Sequence, residues 1–591
     1  MFARILKAYR LLDGFRRLVV NVLFLLVIVA FVIAGWYGTQ HKNVPEGTLL
    51  TIDIVGEVKD TIPEDPPSVM TMMMAQPLSM DTRLSDIVQT LDVAATDPRV
   101  AGVILNVDEM AGVGMASARE IGAAIDRYRE RSSKQVWVWG DSFSQSQYLI
   151  VSHADHVGLH PMGNVGLKGL SATSLYWGRL FKSIGIEVEV HKAGAFKSAP
   201  EIFTSGAPSS ESLMAQKSYM DDAWQTLVKG IEKRRGMEEG TVDCVIQQIV
   251  NSRVEDASLA TMFFDAGLVD ALETKDDFLS AVEKKYSRGG VVTHVDMPTY
   301  LMSKSVSTST QGAVAVVVAE GEISSMPDLG GVTPQTFNVL IDEVQANPEI
   351  QALVLRINSP GGDALASELI RARLEKFHKE TNKPIIVSMG NVAASGGYWI
   401  ATAGNQIVSD PLSITGSIGV FSMSVRAERL MSEFEIGRGG YRTTPLADVG
   451  MFTAEPSLVE RRLIEGGVMR TYAEFKRLVA QSRHMDLAQV ESLAQGRVWT
   501  GKQAVKYGLA DRLGGIYDAI DIAKKTAGLD PMATVLYYEP QNTSWKSYIR
   551  TMIQTQVSEQ AERLLEIDTK LRSFYQQMGR SMAWAPFEPT F

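Results

Sequence analysis

The segment 347-NPEIQALVLRI-357 indicates how the chain is organised, because it repeats 97-DPRVAGVILNV-107 at an offset of 250 residues. The same offset pairs 97–170 with 347–420 without a gap. Identical residues at paired positions include Gly112 and Gly362, Gly140 and Gly390, Tyr148 and Tyr398, Pro161 and Pro411, and Gly166 and Gly416. A constant offset over this length indicates two tandem copies of one structural unit. We predict a first copy at 47–305 and a second at 306–540, between an N-terminal segment 1–46 and a helical tail 541–591.

Each copy alternates strand-like and helix-like segments. In the second copy, 353–357 is a predicted strand that ends at 358-NSPGGD-363, and 364–379 has apolar residues at helical spacing. A second predicted strand, 385-IIVSM-389, precedes a helix that opens within 395-SGGYWIATA-403. This order predicts an α/β fold whose ligand sites lie where the strands end.

The composition of the 591-residue chain excludes several functions. A formal net charge of −10 leaves no basic surplus for phosphates, so we expect no nucleic-acid partner. Cys244 is the only cysteine, which excludes an intrachain disulfide and cysteine-based zinc sites. His153, His156 and His160 match no established zinc motif. We therefore expect neither a metal nor a cofactor.

The N-terminal segment contains a predicted membrane anchor. Residues Leu18 to Gly35 run for 18 positions without a charge, which is long enough to span a bilayer. Basic residues precede this run, so the N-terminus is predicted to lie in the cytoplasm and the remainder outside a bacterial cytoplasmic membrane, in the periplasm. A cleaved signal peptide is the alternative, but its apolar region is usually only ~7–15 residues long.

Ser395 is the candidate nucleophile, since it follows a predicted strand at the first turn of a helix. The amide of Gly396 and an amide of the Gly361–Gly362 turn are candidates for an oxyanion hole. A helix N-cap is the alternative role for such a serine. The repeat favours catalysis, because the first copy has Gln145 opposite Ser395 and lacks the neighbouring glycines.

A nucleophilic serine needs a base, and histidine is the usual one. None of the eight histidines stands in an evident partner motif. His378 falls near the end of a predicted amphipathic helix, where facing solvent or complementing the helix dipole is the better interpretation. Lysine is the remaining type of base.

Four motifs connect the chain to a known family: 197-KSAPEIF-203 in the first copy, and 358-NSPGGDALASE-368, 393-AASGGYW-399 and 415-TGSIG-419 in the second. With the anchor and the tandem copies, they make nearly the whole chain resemble long-form signal peptide peptidase A, or protease IV, a serine–lysine membrane protease family. The resemblance implies that Ser395 is the nucleophile and Lys197 the general base. A free lysine titrates near ~10.4, so burial must lower this pKa by several units. Ser198 is a candidate for orienting the amine.

The resemblance also implies a fold, a substrate and an assembly. The family fold is similar to that of Clp protease and crotonase, a stacked ββα superhelix. The implied substrates are cleaved signal peptides and other unfolded apolar peptides, hydrolysed through an acyl-enzyme by a homo-oligomer such as a tetramer. Two alternatives remain, a crotonase-like acyl-CoA enzyme and an inactive membrane-tethered assembly protein. The anchor, Ser395 and Lys197 argue against the first, and the presence of both residues argues against the second.

Overall fold

The computed structural model describes residues 44–62, 81–252, 258–287, 291–303, 312–326, 331–539 and 582–584, with Asn21 and Leu25. Apart from those two positions, the predicted anchor at Leu18 to Gly35 lies outside the described residues. Within the described ranges, no helix has both the length and the apolar character that a membrane span requires.

The first copy alternates strands and helices as predicted. Its strands are β1 (Thr48–Asp53), β2 (Gly56–Lys59), β3 (Thr82–Arg83), β4 (Val100–Asn106), β5 (Met110–Gly112), β6 (Val136–Gly140), β7 (Phe143–Ser144), β8 (His156–Leu159), β9 (Val165–Gly166), β10 (Glu187–Ala193), β11 (Ala271–Leu272) and β12 (His294–Asp296). Its helices are α1 (Leu84–Thr96), α2 (Met115–Arg131), α3 (Gln145–Val151), α4 (Gly178–Ser183), α5 (Glu201–Thr204), α6 (Ser210–Arg235), α7 (Thr241–Asn251), α8 (Leu259–Asp265), α9 (Lys275–Tyr286) and α10 (Met297–Met302).

The second copy follows a similar order. Its strands are β13 (Ala313–Glu320), β14 (Ile350–Ser359), β15 (Gly361–Asp363), β16 (Ile385–Ala394), β17 (Gln406–Ser409), β18 (Ile414–Gly416), β19 (Val420–Arg426), β20 (Val498–Thr500), β21 (Arg512–Leu513) and β22 (Thr534–Tyr538). Its helices are α11 (Pro334–Ala346), α12 (Ala364–Thr381), α13 (Gly396–Ala401), α14 (Glu428–Glu433), α15 (Leu458–Arg483), α16 (Leu487–Leu493), α17 (Gly501–Lys506) and α18 (Ile516–Thr526).

The two copies build parallel sheets with matching strand orders. The first sheet runs β11-β8-β6-β4-β1-β12, and the second contains β21-β17-β16-β14-β13-β22. A smaller pairing repeats at the offset of 250, since Phe143 lies opposite Val165 in the first copy and Ala393 opposite Thr415 in the second. The tandem α/β prediction is therefore confirmed, and the repeat extends beyond the aligned segment.

The strand sequences explain why the second sheet is covered on both faces. In β13, Val314, Val316 and Val318 pack on the side of α18, while Ala315, Val317 and Ala319 pack on the side of α11 and α12. Alternate side chains of a strand point to opposite faces, so an uninterrupted apolar strand suits a sheet between two helical layers.

Strand β10 joins the two copies. It belongs to the first copy but pairs antiparallel with β19 of the second, from Glu187 opposite Arg426 to Ala193 opposite Val420. The copies therefore share a sheet across the predicted division at 305/306. Because of this pairing, the segment that follows β10 lies against the second copy.

Buried charges form part of the contact between the copies. Arg356 of β14 is 1% exposed, and its guanidinium donates to Asp60 at 3.0 Å and to Glu120 at 2.7 Å. Both carboxylates belong to the first copy. Removing one partner of such a buried pair would leave an uncompensated charge at the contact between the copies.

The described part of the C-terminal tail is a strand and not the predicted helix. Residues Met582–Trp584 form strand β23, which lies between β15 and β19. The remainder of 541–591 falls outside the described residues. Apolar spacing along the tail favoured a helix, but two unpaired strand edges provide hydrogen-bond partners that such a pattern does not reveal.

Candidate active site

Ser395 lies at a strained turn between β16 and α13. Its φ of 55° and ψ of −115° are rare for a residue with a side chain. The residue occupies the N-cap position, but its side chain makes no capping hydrogen bond. The N-cap alternative therefore fails, and the Oγ atom is free to meet another group.

Lys197 reaches Ser395 from the other copy. Its Nζ lies 2.7 Å from Ser395 Oγ, and the whole residue is 1% exposed. The loop that carries it follows β10 and is held by Glu201, whose carboxylate accepts hydrogen bonds from the backbone and the hydroxyl of Ser209. The structure thus brings together the predicted nucleophile and the predicted base.

The surroundings of Lys197 favour a neutral amine. Burial lowers the pKa of Lys197 well below its usual value. Two further hydrogen bonds hold the amine, at 2.9 Å to Ser417 Oγ and 3.2 Å to the Ser417 carbonyl. An uncharged lysine can accept a proton from a serine hydroxyl, which is the requirement for a general base.

Ser417 is not among the site residues predicted from the sequence. Ser198 was the candidate for orienting the amine, but among the described residues the amine's hydrogen bonds go to Ser395 and Ser417. Ser417 has a φ of 51° and lies within the motif 415-TGSIG-419. The repeat contains a signal, because the first copy has Leu167 at the matching position, where no hydroxyl is available.

The three glycines predicted to form the oxyanion hole differ in where their backbone amides point. A Cβ atom on Gly396 would lie 3.1 Å from both Gly361 Cα and Gly362 N, so these backbones approach closely. The amide of Gly361 already donates to Ser359 Oγ at 3.2 Å. Gly361 O and Asp363 N both bond to Ile323, so the amide of Gly362 faces the opposite side of β15. The Gly362 amide therefore faces β23, and Gly362 and Gly396 are the candidate donors for a substrate carbonyl that takes the place of β23.

A groove for an extended chain passes this site. Strand β23 pairs antiparallel with β15, with Ala583 opposite Gly362, and also pairs with β19 through Met582 and Phe421. Backbone pairing of this kind does not depend on side-chain identity. The space between β15 and β19 can therefore hold a peptide strand beside Gly362.

The histidines considered from sequence lie elsewhere. His153 contacts Asp126, His156 contacts Glu273, and His378 Nδ1 lies 2.7 Å from the carbonyl of Lys383 near the end of α12. The group beside Ser395 that can accept a proton is thus Lys197.

A family model described as Peptidase family S49 matches residues 128–287 and 377–530, more than half of the chain. The chain belongs to peptidase family S49. This S49 peptidase is 31% identical to Protease 4 of Salmonella typhi over 537 residues, covering 88% of this chain and 85% of that protein. It is 30% identical to the chloroplastic serine protease SPPA of Arabidopsis thaliana over 507 residues, covering 83% and 70%.

These matches confirm the resemblance to long-form signal peptide peptidase A and show that the S49 chain is a serine peptidase. The acyl-CoA enzyme and the inactive assembly protein are thereby set aside. Among solved structures, a ClpP1 mutant from Listeria monocytogenes covers 35% of this chain and 94% of its own, at 15% identity and a TM-score of 0.24. The Clp protease-like superhelix stays a prediction at that score.

Proposed function

We propose that this S49 peptidase is a membrane-anchored endopeptidase that cleaves signal peptides and other unfolded apolar peptides with a Ser395–Lys197 dyad. The observation that carries the proposal is the 2.7 Å contact between Lys197 Nζ and Ser395 Oγ in a buried setting. A lysine held by two serines, with a lowered pKa, meets the chemical requirement for activating a hydroxyl.

Acylation begins when a peptide carbonyl reaches Ser395 Oγ. The neutral amine of Lys197 takes the hydroxyl proton as Oγ attacks the carbonyl carbon, which gives a tetrahedral oxyanion. The amides of Gly362 and Gly396 donate to that oxygen. The protonated lysine then passes its proton to the departing amine, and the C–N bond breaks to leave an acyl-enzyme on Ser395.

Deacylation repeats these steps with water as the nucleophile. Lys197 takes a proton from water as the water oxygen attacks the ester carbon, and the same two amides hold the second oxyanion. Collapse of this intermediate breaks the bond to Oγ, and Lys197 returns the proton to Ser395. The product leaves as a carboxylic acid that releases its proton to solvent, and the starting dyad is restored.

The groove between β15 and β19 supports an extended substrate. A peptide in the position of β23 would pair with backbone groups and present a carbonyl to Gly362. Strand pairing selects for unfolded chains, since a folded segment has no free strand edge to offer. This agrees with unfolded peptides as substrates.

The anchor and assembly belong to the same proposal. The uncharged run from Leu18 to Gly35 supports a single span of a bacterial cytoplasmic membrane, with the N-terminus inside and the catalytic copies in the periplasm. We further propose a homo-oligomer, such as a tetramer. Mass photometry of the detergent-solubilised chain tests the assembly, and a single-chain mass contradicts it.

The dyad is tested by intact mass and by cleavage of a quenched apolar peptide. The detergent-solubilised full chain, S395A and K197A are each incubated with a fluorophosphonate probe. We expect one adduct on the unmodified chain, none on S395A, and at least a ~1000-fold loss of kcat/KM in both variants.

Two matched substitutions serve as controls. S144A removes the first-copy serine next to the position opposite Ser395, and K168A removes an exposed first-copy lysine. Both controls should label and cleave at nearly the unmodified rate. Full activity in S395A would reject the nucleophile, and full activity in K197A would reject the base.

A further inference from the structure

A short second-copy segment, Gln495–Arg497, fits against the backbone of Lys197. A Cβ atom added to Gly496 would lie 2.7 Å from both Lys197 N and Lys197 Cβ, which is too close for any side chain. The carbonyl of Gln495 accepts the Phe196 amide at 2.8 Å. The root of the lysine side chain is therefore fixed by a segment some 300 residues away in sequence.

The same segment also fixes the tip of the lysine. The carbonyl of Arg497 accepts the Ser417 amide at 2.7 Å, and Ser417 holds Lys197 Nζ through its hydroxyl and its carbonyl. One short stretch of backbone thus sets both ends of the Lys197 side chain. A four-carbon side chain held at both ends keeps its amine in one place.

Two aromatic rings hold the segment in register. The Arg497 guanidinium lies 4.8 Å from the ring centre of Phe196 and 4.8 Å from that of Trp499. Phe196 is the neighbour of Lys197, and Trp499 belongs to β20. The arginine therefore stacks between the loop of the base and the sheet of the nucleophile.

We propose that Gln495–Arg497 is the positioning element of the general base, and that Gly496 is the residue through which it acts. Only a glycine allows the segment to approach Lys197 this closely at a φ of 78°. The proposal rests on the proposed function, since it requires Lys197 to be the base.

The test compares G496A with G528A in the detergent-solubilised full chain. Gly528 has a similar φ of 67°, but a Cβ atom there meets nothing within 4 Å. G528A therefore reproduces the backbone strain without the contact to Lys197. We expect G496A to lower kcat about 100-fold, with KM within about twofold, and G528A to leave both unchanged.

The pH profile separates positioning from simple destabilisation. Displacing Lys197 should expose its amine to water and move the acid-side midpoint of kcat/KM upward in G496A but not in G528A. Equal kcat and an equal midpoint in the two variants would overturn the proposal. If K197A itself remains active, the proposed function fails; if K197A is inactive while G496A matches G528A, only the positioning role fails.

A second substitution covers the case in which G496A does not fold. R497A removes the stacking between Phe196 and Trp499 and should lower kcat about tenfold, while R497K keeps a cation between the rings and should recover part of the loss. An unchanged kcat and acid-side midpoint in R497A would count against the proposal.

Discussion

The turn at Ser395 and its first-copy counterpart at Gln145 share a backbone plan but differ in strain. In the first copy, Ser144 caps α3 with an ordinary φ of −64°, and its side chain takes part in a capping box with Gln147. In the second copy, the N-cap is Ser395 at a φ of 55°, without a capping bond. One turn satisfies its helix, while the other leaves a hydroxyl free for Lys197.

The first-copy turn is not only unstrained but also occupied by the side chain of Gln145. The side chain of Gln145 accepts from the amides of Lys168 and Gly169 and donates to the carbonyl of Gly169. Leu167 stands where the second copy has Ser417. The first copy thus has a hydrogen-bonded glutamine at its turn, and in the proposed mechanism this copy contributes Lys197 instead.

The largest expected contrast concerns the paired glycines of the two copies. A Cβ atom on Gly362 would lie 1.9 Å from Ile323 O at a φ of 151°, whereas one on Gly112 would meet nothing within 4 Å. G362A should therefore lower kcat/KM at least about 100-fold, because the strand that offers an oxyanion donor must move. G112A should stay within about twofold. Peptide cleavage by both variants measures this contrast, and similar losses would contradict the asymmetry.

The next largest effect is expected in the pH dependence of cleavage. Because burial lowers the pKa of Lys197, the amine is neutral above that pKa and charged below it. Activity should therefore extend to pH values well below the ordinary lysine pKa, and should fall about tenfold per pH unit below the lowered pKa. A kcat/KM profile that rises only near the ordinary lysine pKa would show that the base is not desolvated. The profile of S144A, which alters the first-copy turn alone, should overlay that of the unmodified chain.

A smaller effect, on stability and not on cleavage, is expected from Glu120, whose counterpart in the second copy is Ile370. Burial raises the pKa of Glu120 from 4.5 to about 7, against the opposing effect of Arg356. The folded chain thus binds this proton more tightly than the unfolded chain, so stability falls as pH rises from about 4.5 to 7. The loss is on the order of 3 kcal/mol.

E120Q checks that assignment, since it cannot ionise. Thermal midpoints of E120Q and of the unmodified chain are compared at pH 5, 6 and 7. The unmodified chain should show the steeper decline over this window. Parallel curves would mean that Glu120 is ionised throughout.

The smallest change in cleavage activity should come from the first-copy turn at Gln145. Q145A removes the hydrogen-bonded glutamine side chain but touches neither Ser395 nor Lys197, so kcat/KM should change by less than about twofold. The thermal midpoint should fall slightly, because the amides of Lys168 and Gly169 lose their acceptor. A large loss of activity at an unchanged midpoint would show that the first-copy turn takes part in catalysis.

Much of the fold was predictable because the repeat fixes which segments are equivalent. The strand predicted at 353–357 is β14, the helix predicted at 364–379 is α12, and the strand predicted at 385–389 begins β16. Ser395 was predicted from a turn that differs between the copies, and Lys197 from the family resemblance. The structure brings them to 2.7 Å.

Other features depend on tertiary contacts that no local pattern encodes. The antiparallel pairing of β10 with β19 crosses the predicted domain division, and β23 is a strand because it pairs with β15. Ser417 takes its role from a φ of 51° that directs its hydroxyl and carbonyl to one amine. Sequence spacing carries no information on such a backbone angle.

The position of β23 means that a peptide substrate must compete with β23 for the groove between β15 and β19. Because β23 belongs to the chain whose groove it occupies, its competition with a peptide is intramolecular and independent of enzyme concentration. Diluting the enzyme does not empty the groove, and the apparent affinity for an added peptide falls in proportion to the time that β23 is bound. If substrates bind in this groove as proposed, we expect peptides that form a longer ladder with β15 and β19 to displace β23 most readily, so that long extended chains are cleaved in preference to short ones.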